Sequence, residues 1–407
     1  MLELAGALRD WLRQGRAFAV ATVVAVDGSA PRQPGAALAV AGDGTAVGSV
    51  SGGCVEGTVY ELCLRALADG RVLRERFRAG DEDAFAVGLM CGGTMEVLIT
   101  PVAAGPGRGP GAGPEPVGDA TVMGQDAVLA AALEIAAEGG TAALARVADG
   151  PGELIGRALL VHPDGRRDGT LGGPPALDRT AAAEARALLA AGRTGTVTVG
   201  ADGGRCGTPL TLLVECSAPA PRMIVFGAID FAAALVTVGK FLGYHVTVCD
   251  ARPVFATAAR FPGADEVVVE WPHRYLAATR TDPRTVLCVL THDAKFDVPL
   301  LTYALTLPVA YIGAMGSRRT HADRERRLRE AGVGPAALAR LRSPIGLDLG
   351  ARTPQETALS IAAEIVATRH GGSGAALTGA HIPIHHDIRH DDLPRPVRPA
   401  VHRGPAA

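Results

Sequence analysis

Residues 17–26, AFAVATVVAV, are a short β-branched run and predict a strand. AALAVAG and TAVGSV follow, with Asp43 and Gly44 between them, and predict a hairpin. Over 54–70, Val55, Val59, Leu62 and Leu67 recur at helical spacing, so a helix is expected there. Strands at about 71–77 and 95–101 close this unit. The same grammar returns later: a strand at 141–147, a strand pair or hairpin arm at 153–165, and a helix at 177–192. GTLGG…EARALLAAGR matches GSVSGG…ELCLRALADGR in order, each with a glycine loop, an amphipathic helix and a Gly-Arg stop. GLMCGGTMEVLI (88–99) likewise pairs with GGRCGTPLTLLVE (203–215). The pattern predicts a degenerate internal duplication, roughly 17–102 against 141–217.

From 222 to 370 the pattern changes. Apolar runs at 222–227, 244–250, 265–270, 285–290 and 308–313 alternate with helical segments such as 231–243. Continuous apolar strands between helices predict a parallel sheet covered on both faces. The fold class expected is therefore α/β, with an N-terminal α+β domain over 1–220 and a Rossmann-like domain over 221–370.

Composition sharpens this picture in five respects. Residues 103–118 hold ten Gly or Pro among sixteen, which predicts a flexible insert between the two copies. Residues 371–407, with five histidines beside several aspartates, read as a disordered tail without a metal-ligand template. The net charge of −2 gives no electrostatic case for nucleic acid or an anionic membrane surface. No apolar run reaches eighteen residues, and Arg9, Asp10 and Arg13 interrupt the first segment, so neither a membrane span nor a signal peptide is expected and the cytoplasm is the default. The seven cysteines form no CxxC pair, so no zinc site is expected, and Cys249 and Cys288 read as buried core.

Five constellations carry candidate chemistry. In IVFGAIDFAAAL (224–235), a strand turns at Gly227 into a helix, and Asp250 ends the next strand 23 residues on. This is the Rossmann layout, in which helix N–H groups meet a pyrophosphate and the acid meets a ribose. Ile229 stands where the second glycine belongs, and Asp230 puts a negative charge near the phosphate position, so ordinary NAD(P) binding is disfavoured. YIGAMGSRR (311–319) places Gly313, Gly316, Ser317 and Arg318 between a strand and a charged helix, which suits an anion; a turn with a solvated helix face is the alternative. His292 and Asp293 follow a buried strand, facing a crevice or capping the next helix. Thr353, Pro354 and Glu356 predict a capping box, while Gly346 and Gly350 ask for a packing reason. Finally, Gly52, Gly53 and Cys54 at a predicted helix start, with Cys91, Gly92 and Gly93, combine open backbone with thiols; two buried structural cysteines are the alternative.

GSAPRQPGA (28–36), GSVSGGCVEGTV, CGGTMEVLITP, LTHDAKFDVPLL, YIGAMGSRR and PIGLDLGARTPQETALSIAAEI occur in one order across nearly all of 1–370. Together they resemble the XdhC/CoxI family. The resemblance implies an accessory protein rather than an enzyme. Such a protein binds molybdenum cofactor, protects it during sulfuration by a cysteine desulfurase, and passes it to an apo molybdenum hydroxylase of the xanthine-dehydrogenase or CO-dehydrogenase type. Ile229 and Asp230 depart from the usual glycine and histidine. On this basis helix starts near Gly227 and Gly316, with Arg318, are expected to take the cofactor phosphate, and Cys54 or Cys91 its molybdenum–sulfur end, around one cleft. The competing functions are an NAD(P)-dependent oxidoreductase, with His292 as the proton-transfer residue, and a Rossmann scaffold that binds no ligand. A homodimer is compatible with either class.

Overall fold

The computed structural model describes residues 1–28, 32–78, 93–103, 124–204 and 207–379. The 103–118 insert beyond residue 103 and the tail from 380 onward lie outside the described residues, as do Cys91, Gly92 and Cys206. The chain divides into two compact units, Met1–Pro221 and Arg222–Ala407.

The first unit is built twice. Its elements run α1 (Ala5–Arg13), β1 (Phe18–Asp27), β2 (Ala37–Ala41), β3 (Ala46–Gly48), α2 (Glu56–Asp69), β4 (Leu73–Arg78) and β5 (Thr94–Val102). They continue with α3 (Gln125–Ala137), β6 (Ala142–Asp149), β7 (Ala158–Val161), β8 (Arg167–Gly169), α4 (Pro175–Ala191), β9 (Gly195–Gly200) and β10 (Pro209–Ser217). The two antiparallel sheets share one strand order, β3-β2-β1-β5-β4 and β8-β7-β6-β10-β9. The likeness extends to irregularities. The register of β1 with β5 skips Val24, and that of β6 with β10 skips Ala148, at equivalent positions. α2 and α4 both end on a left-handed glycine, Gly70 and Gly192, a conformation a Cβ would strain.

Packing follows from the alternation of side chains along each strand. One face of the first sheet buries Val23, Val40, Met95 and Val97 under α2, and one face of the second buries Val147, Leu159 and Leu212 under α4. The opposite faces share a core with α1 and α3, and the sheets touch directly through Val24, Leu98, Ala148 and Leu213. The duplication thus includes the leading helix of each copy, one element more than the sequence pattern indicated.

The second unit comprises β11 (Arg222–Phe226), α5 (Asp230–Phe241), β12 (His245–Asp250), β13 (Glu266–Val269), α6 (Pro272–Ala278) and β14 (Val286–Val289). It continues with α7 (Ala294–Ala304), β15 (Tyr311–Ala314), α8 (Arg318–Glu330), α9 (Pro335–Leu338), β16 (Leu341–Arg342) and α10 (Pro354–His370). All neighbouring strands are parallel, in the order β13-β12-β11-β14-β15-β16. This is the doubly wound arrangement. Met223, Val225, Val246 and Cys288 face α5 and α10, while Ile224, Phe226, Cys249 and Leu287 face α6, α7 and α8. Cys249 and Cys288 are core residues, and burial pushes both thiols up, Cys249 to about 12.

Two strand expectations need adjustment. The fifth parallel strand begins at Tyr311 rather than 308; Pro308 brings no N–H of its own to a ladder. A sixth strand, only two residues long, has no periodicity to reveal it. Among the described residues no helix is long and apolar enough to cross a membrane, and no cluster of three or more His, Cys, Asp or Glu could hold a metal ion.

Candidate functional site

Strand order reverses between β11 and β14, so the loops leaving their carboxyl ends border the crevice where doubly wound sheets take ligands. Gly227 turns the chain after β11 with φ 110°. A Cβ there would lie 3.0 Å from Thr291 Cγ2 and 3.1 Å from the Thr291 nitrogen, so the glycine lets the two loops meet. Ile229 is the N-cap of α5 and Asp230 opens it, 85% exposed and 3.3 Å from Arg260.

Asp250, expected to hold a ribose, is committed elsewhere. It accepts from Ala228 N at 2.8 Å, and from Arg252 N, Nε and Nη2 at 2.9, 2.9 and 2.8 Å. Burial opposes its ionisation, but the Arg252 guanidinium and the two amides outweigh it and hold the carboxyl below its ordinary range. A ribose would have to displace Arg252. Around this first turn Asp230 and Asp250 balance Arg252 and Arg260, leaving no surplus positive charge for a pyrophosphate.

The loop after β15 is different. Gly313 lies inside the strand, and a Cβ there would run into Ile345 and the Tyr311 ring, so its role is packing. Gly316 has φ 150° and leads to Ser317, the N-cap of α8, whose Oγ accepts from Thr320 N at 3.1 Å. Further along α8, Asp323 pairs with Arg326 and Arg327, and Glu325 with Arg329. Among the described residues no carboxylate pairs with Arg318 or Arg319, both exposed at the positive end of the helix. His292 is exposed in the loop after β14, and Asp293 caps α7 by accepting from Lys295 N at 3.1 Å. The capping box at α10 is present, with Thr353 and Glu356 bonded reciprocally.

Sequence reasoning missed a buried network below these loops. Asp297 on α7 and Arg324 on α8 pair at 2.8 Å, both nearly inaccessible. Asp297 also accepts from Thr291 Oγ1 at 2.5 Å, and Arg324 donates to Met315 O at 2.7 Å and Ser343 Oγ at 3.0 Å. One signal was present: Arg324 lies four residues before Leu328, the other buried side chain of α8, and so shares its inward face.

In the first unit, α2 starts at Glu56, with Val55 as N-cap, so Cys54 precedes the helix rather than opening it. The Glu56 side chain folds back over the glycine loop. It accepts from Ser49 Oγ at 2.6 Å, Ser51 N at 2.8 Å and Gly53 N at 2.8 Å, and from Ser51 Oγ. Gly52 N donates to Ser49 Oγ at 2.9 Å. Burial pushes the Glu56 carboxyl up, but the Ser49 and Ser51 hydroxyls and the loop amides outweigh this and hold it down to about 2. The protein's own carboxylate thus takes the place at these amides that an incoming anion would need. The second copy repeats the device: Asp178 accepts from Thr170 Oγ1 at 2.8 Å and Leu171 N at 2.9 Å, and Gly172 N donates to Thr170 Oγ1. Cys54 is half-buried against the core under α2. Gly93 is buried, with its Cα 3.4 Å from where a Gly28 Cβ would stand, which brings the ends of β1 and β5 together.

Comparison with known proteins bears on both units. The family model described as XdhC and CoxI family matches residues 11–78 and 135–200, and the XdhC Rossmann domain matches 223–365. The chain belongs to the XdhC and CoxI family. The two segments matched in the first unit begin and end at equivalent positions of its two copies, which agrees with the shared strand order. A protein of Bacillus subtilis (strain 168) named as a probable xanthine dehydrogenase subunit is 27% identical over 359 residues, covering 86% of this chain and 92% of that one. The molybdenum cofactor insertion chaperone PaoD of Escherichia coli (strain K12) is 25% identical over 358 residues, covering 88% of this chain and 85% of PaoD. A crystal structure described as a xanthine dehydrogenase from Bacillus halodurans shares the fold, with TM-score 0.62 and 23% identity over 92% of this chain and 98% of that one.

Proposed function

We propose that this XdhC/CoxI protein is an accessory chaperone that binds molybdenum cofactor as cargo and delivers it to an apo molybdenum hydroxylase. The observation that carries the proposal is the match of both units to one family, together with the likeness of most of the chain to a relative named as an insertion chaperone. The phosphate of the cargo suits the start of α8, where Ser317, Arg318 and Arg319 offer hydrogen-bond donors and positive charge that no carboxylate among the described residues pairs. The turn at Gly227 suits it less, since Asp230 and Asp250 offset the nearby guanidiniums. Committed as it is to Arg252, Asp250 also lends little support to an NAD(P)-dependent oxidoreductase. Cys54 and Cys91 supply the soft ligands suited to a molybdenum–sulfur end. Hand-over during sulfuration implies a cysteine desulfurase as a second partner, and a cytoplasmic, dimeric carrier is consistent with that work.

The test is purification of the full chain from cells that make molybdopterin, followed by oxidation and fluorescence of the released pterin. Retention of pterin by the wild-type chain and its loss in the Ser317→Ala, Arg318→Ala double variant are expected. Absence of pterin from the wild-type chain, with an apo hydroxylase present or absent, would remove the proposal. A Cys54→Ala, Cys91→Ala double variant that keeps its cargo would remove the thiol half alone.

A further inference from the structure

The ligand roles proposed above leave the buried Asp297–Arg324 pair without a use. Its partners are instructive. Each outward bond ends on the loop that leaves a strand, not on a neighbouring helix. Thr291 follows β14, Met315 follows β15 and Ser343 follows β16. The Arg324 guanidinium also lies directly under Gly316, where a Cβ would stand 3.6 Å from Nη1. A buried ion pair is weak evidence of added stability, because desolvating both charges offsets much of their attraction. What such a fork fixes well is geometry, since the planar guanidinium holds several acceptors at set angles.

We infer that Asp297 and Arg324 are a positioning pair that locks the loops after β14, β15 and β16 in one register, presenting His292, Ser317 and Arg318 together to an anionic ligand. The inference rests on the reading that this edge takes the phosphate end of the cargo. Neither residue touches that ligand. Asp297 anchors the His292 loop through Thr291, and Arg324 anchors the Ser317 loop through Met315 O. The two loops are then coupled through a bond of 2.8 Å between buried groups.

The test uses the full chain and its Asp297→Asn and Arg324→Lys variants, held well below their unfolding temperatures. Amide hydrogen exchange reads the loops, and calorimetric titration with inorganic pyrophosphate reads the site. In Asp297→Asn, exchange across 291–293, 315–318 and 343–346 should quicken together by about tenfold, with β11 and β12 unchanged. Pyrophosphate should bind about tenfold more weakly to both variants. Loops that exchange as in wild type, or exchange that rises evenly over the whole sheet, would overturn the inference in favour of a plain stabilising role. Pyrophosphate affinity unchanged despite faster loops would overturn the presentation of the ligand residues. If wild type does not bind pyrophosphate, the phosphate reading falls, and the exchange pattern alone decides whether the pair positions the loops. Should Asp297→Asn fail to fold, Thr291→Val and Ser343→Ala each remove one peripheral bond and leave the pair intact. Each should then free its own loop and spare the other two.

Discussion

Glu56 shows how one side chain can decide what a glycine loop is for. Gly52, Gly53 and Cys54 were legible in the sequence as an open, thiol-bearing loop, but Glu56 reads there only as an ordinary first-turn acid. Its carboxylate gathers hydroxyl and amide donors that are neighbours in sequence yet converge only because Gly52 and Gly53 adopt positive φ. Glu56→Gln keeps the shape and removes the charge, so it should destabilise the first unit by about 2 kcal/mol. The pH dependence has a definite sign. The folded carboxyl sits at about 2 against an ordinary 4.5, so its stabilisation is present above pH 4.5 and is lost as pH falls towards 2. Urea midpoints of wild type and variant should therefore differ by a constant amount from pH 7 down to about 5 and converge on further acidification. A gap that stays constant down to pH 3 would show that Glu56 is not held in this way.

The elements of the second unit were mostly readable, because parallel strands buried on both faces leave continuous apolar runs and α10 carries its capping box in sequence. What joins the elements was not. A packing role was expected of both Gly346 and Gly350 from sequence, and the structure supplies a partner only for Gly346. At φ 99°, a Cβ would overlap Ser360 Oγ on α10 and lie 3.3 Å from Ile361 N. The same loop is pinned by Gly346 N donating to Glu364 Oε2 at 2.8 Å and by Ser360 Oγ donating to Leu347 O. Gly350 departs from that expectation: its φ is 68° and, among the described residues, no atom lies within 4 Å of where a Cβ would stand, so it serves the turn. Gly346→Ala should accordingly cost more than Gly350→Ala, by about 1–2 kcal/mol in chemical denaturation. Part of that excess should vanish in a Ser360→Ala background, because the overlap goes while the backbone strain stays. Equal costs for the two glycine variants would remove the packing argument.

The first unit as a whole is a duplication whose two halves have parted in charge. The repeat was legible because glycine loop, helix and Gly-Arg stop recur in order. The first leading helix, α1, is legible as an amphipathic N-terminal segment, but its counterpart α3 escaped notice, since the Gly/Pro-rich insert precedes it and hides its likeness to α1. Equivalent positions in the two sheets hold Thr22 and Arg146, and Thr100 and Glu215. One half thus holds hydroxyls where the other holds a buried pair, and Arg146 Nη2 donates to Thr22 Oγ1 at 3.0 Å across the repeat. Glu215 accepts from Arg146 at 2.7 Å and also from the Met1 amine. Burial pushes its carboxyl up, but the two cations outweigh it and keep it ionised. The pair is therefore not symmetric in consequence. Arg146→Met leaves Glu215 with the Met1 amine, a partner that still neutralises it. Glu215→Gln strands the Arg146 guanidinium out of water with no anion, while the Met1 amine, which burial already pushes below its ordinary range, can shed its proton. Stranding buried charge costs about 3–5 kcal/mol, so Glu215→Gln should lower the stability of the first unit by that order, and Arg146→Met by distinctly less. Urea unfolding in a Trp271→Phe background, followed by the fluorescence of Trp11 in the core shared by both copies, measures the two side by side. If Arg146→Met proved the costlier change, the Met1 amine could not be the second cation that Glu215 holds.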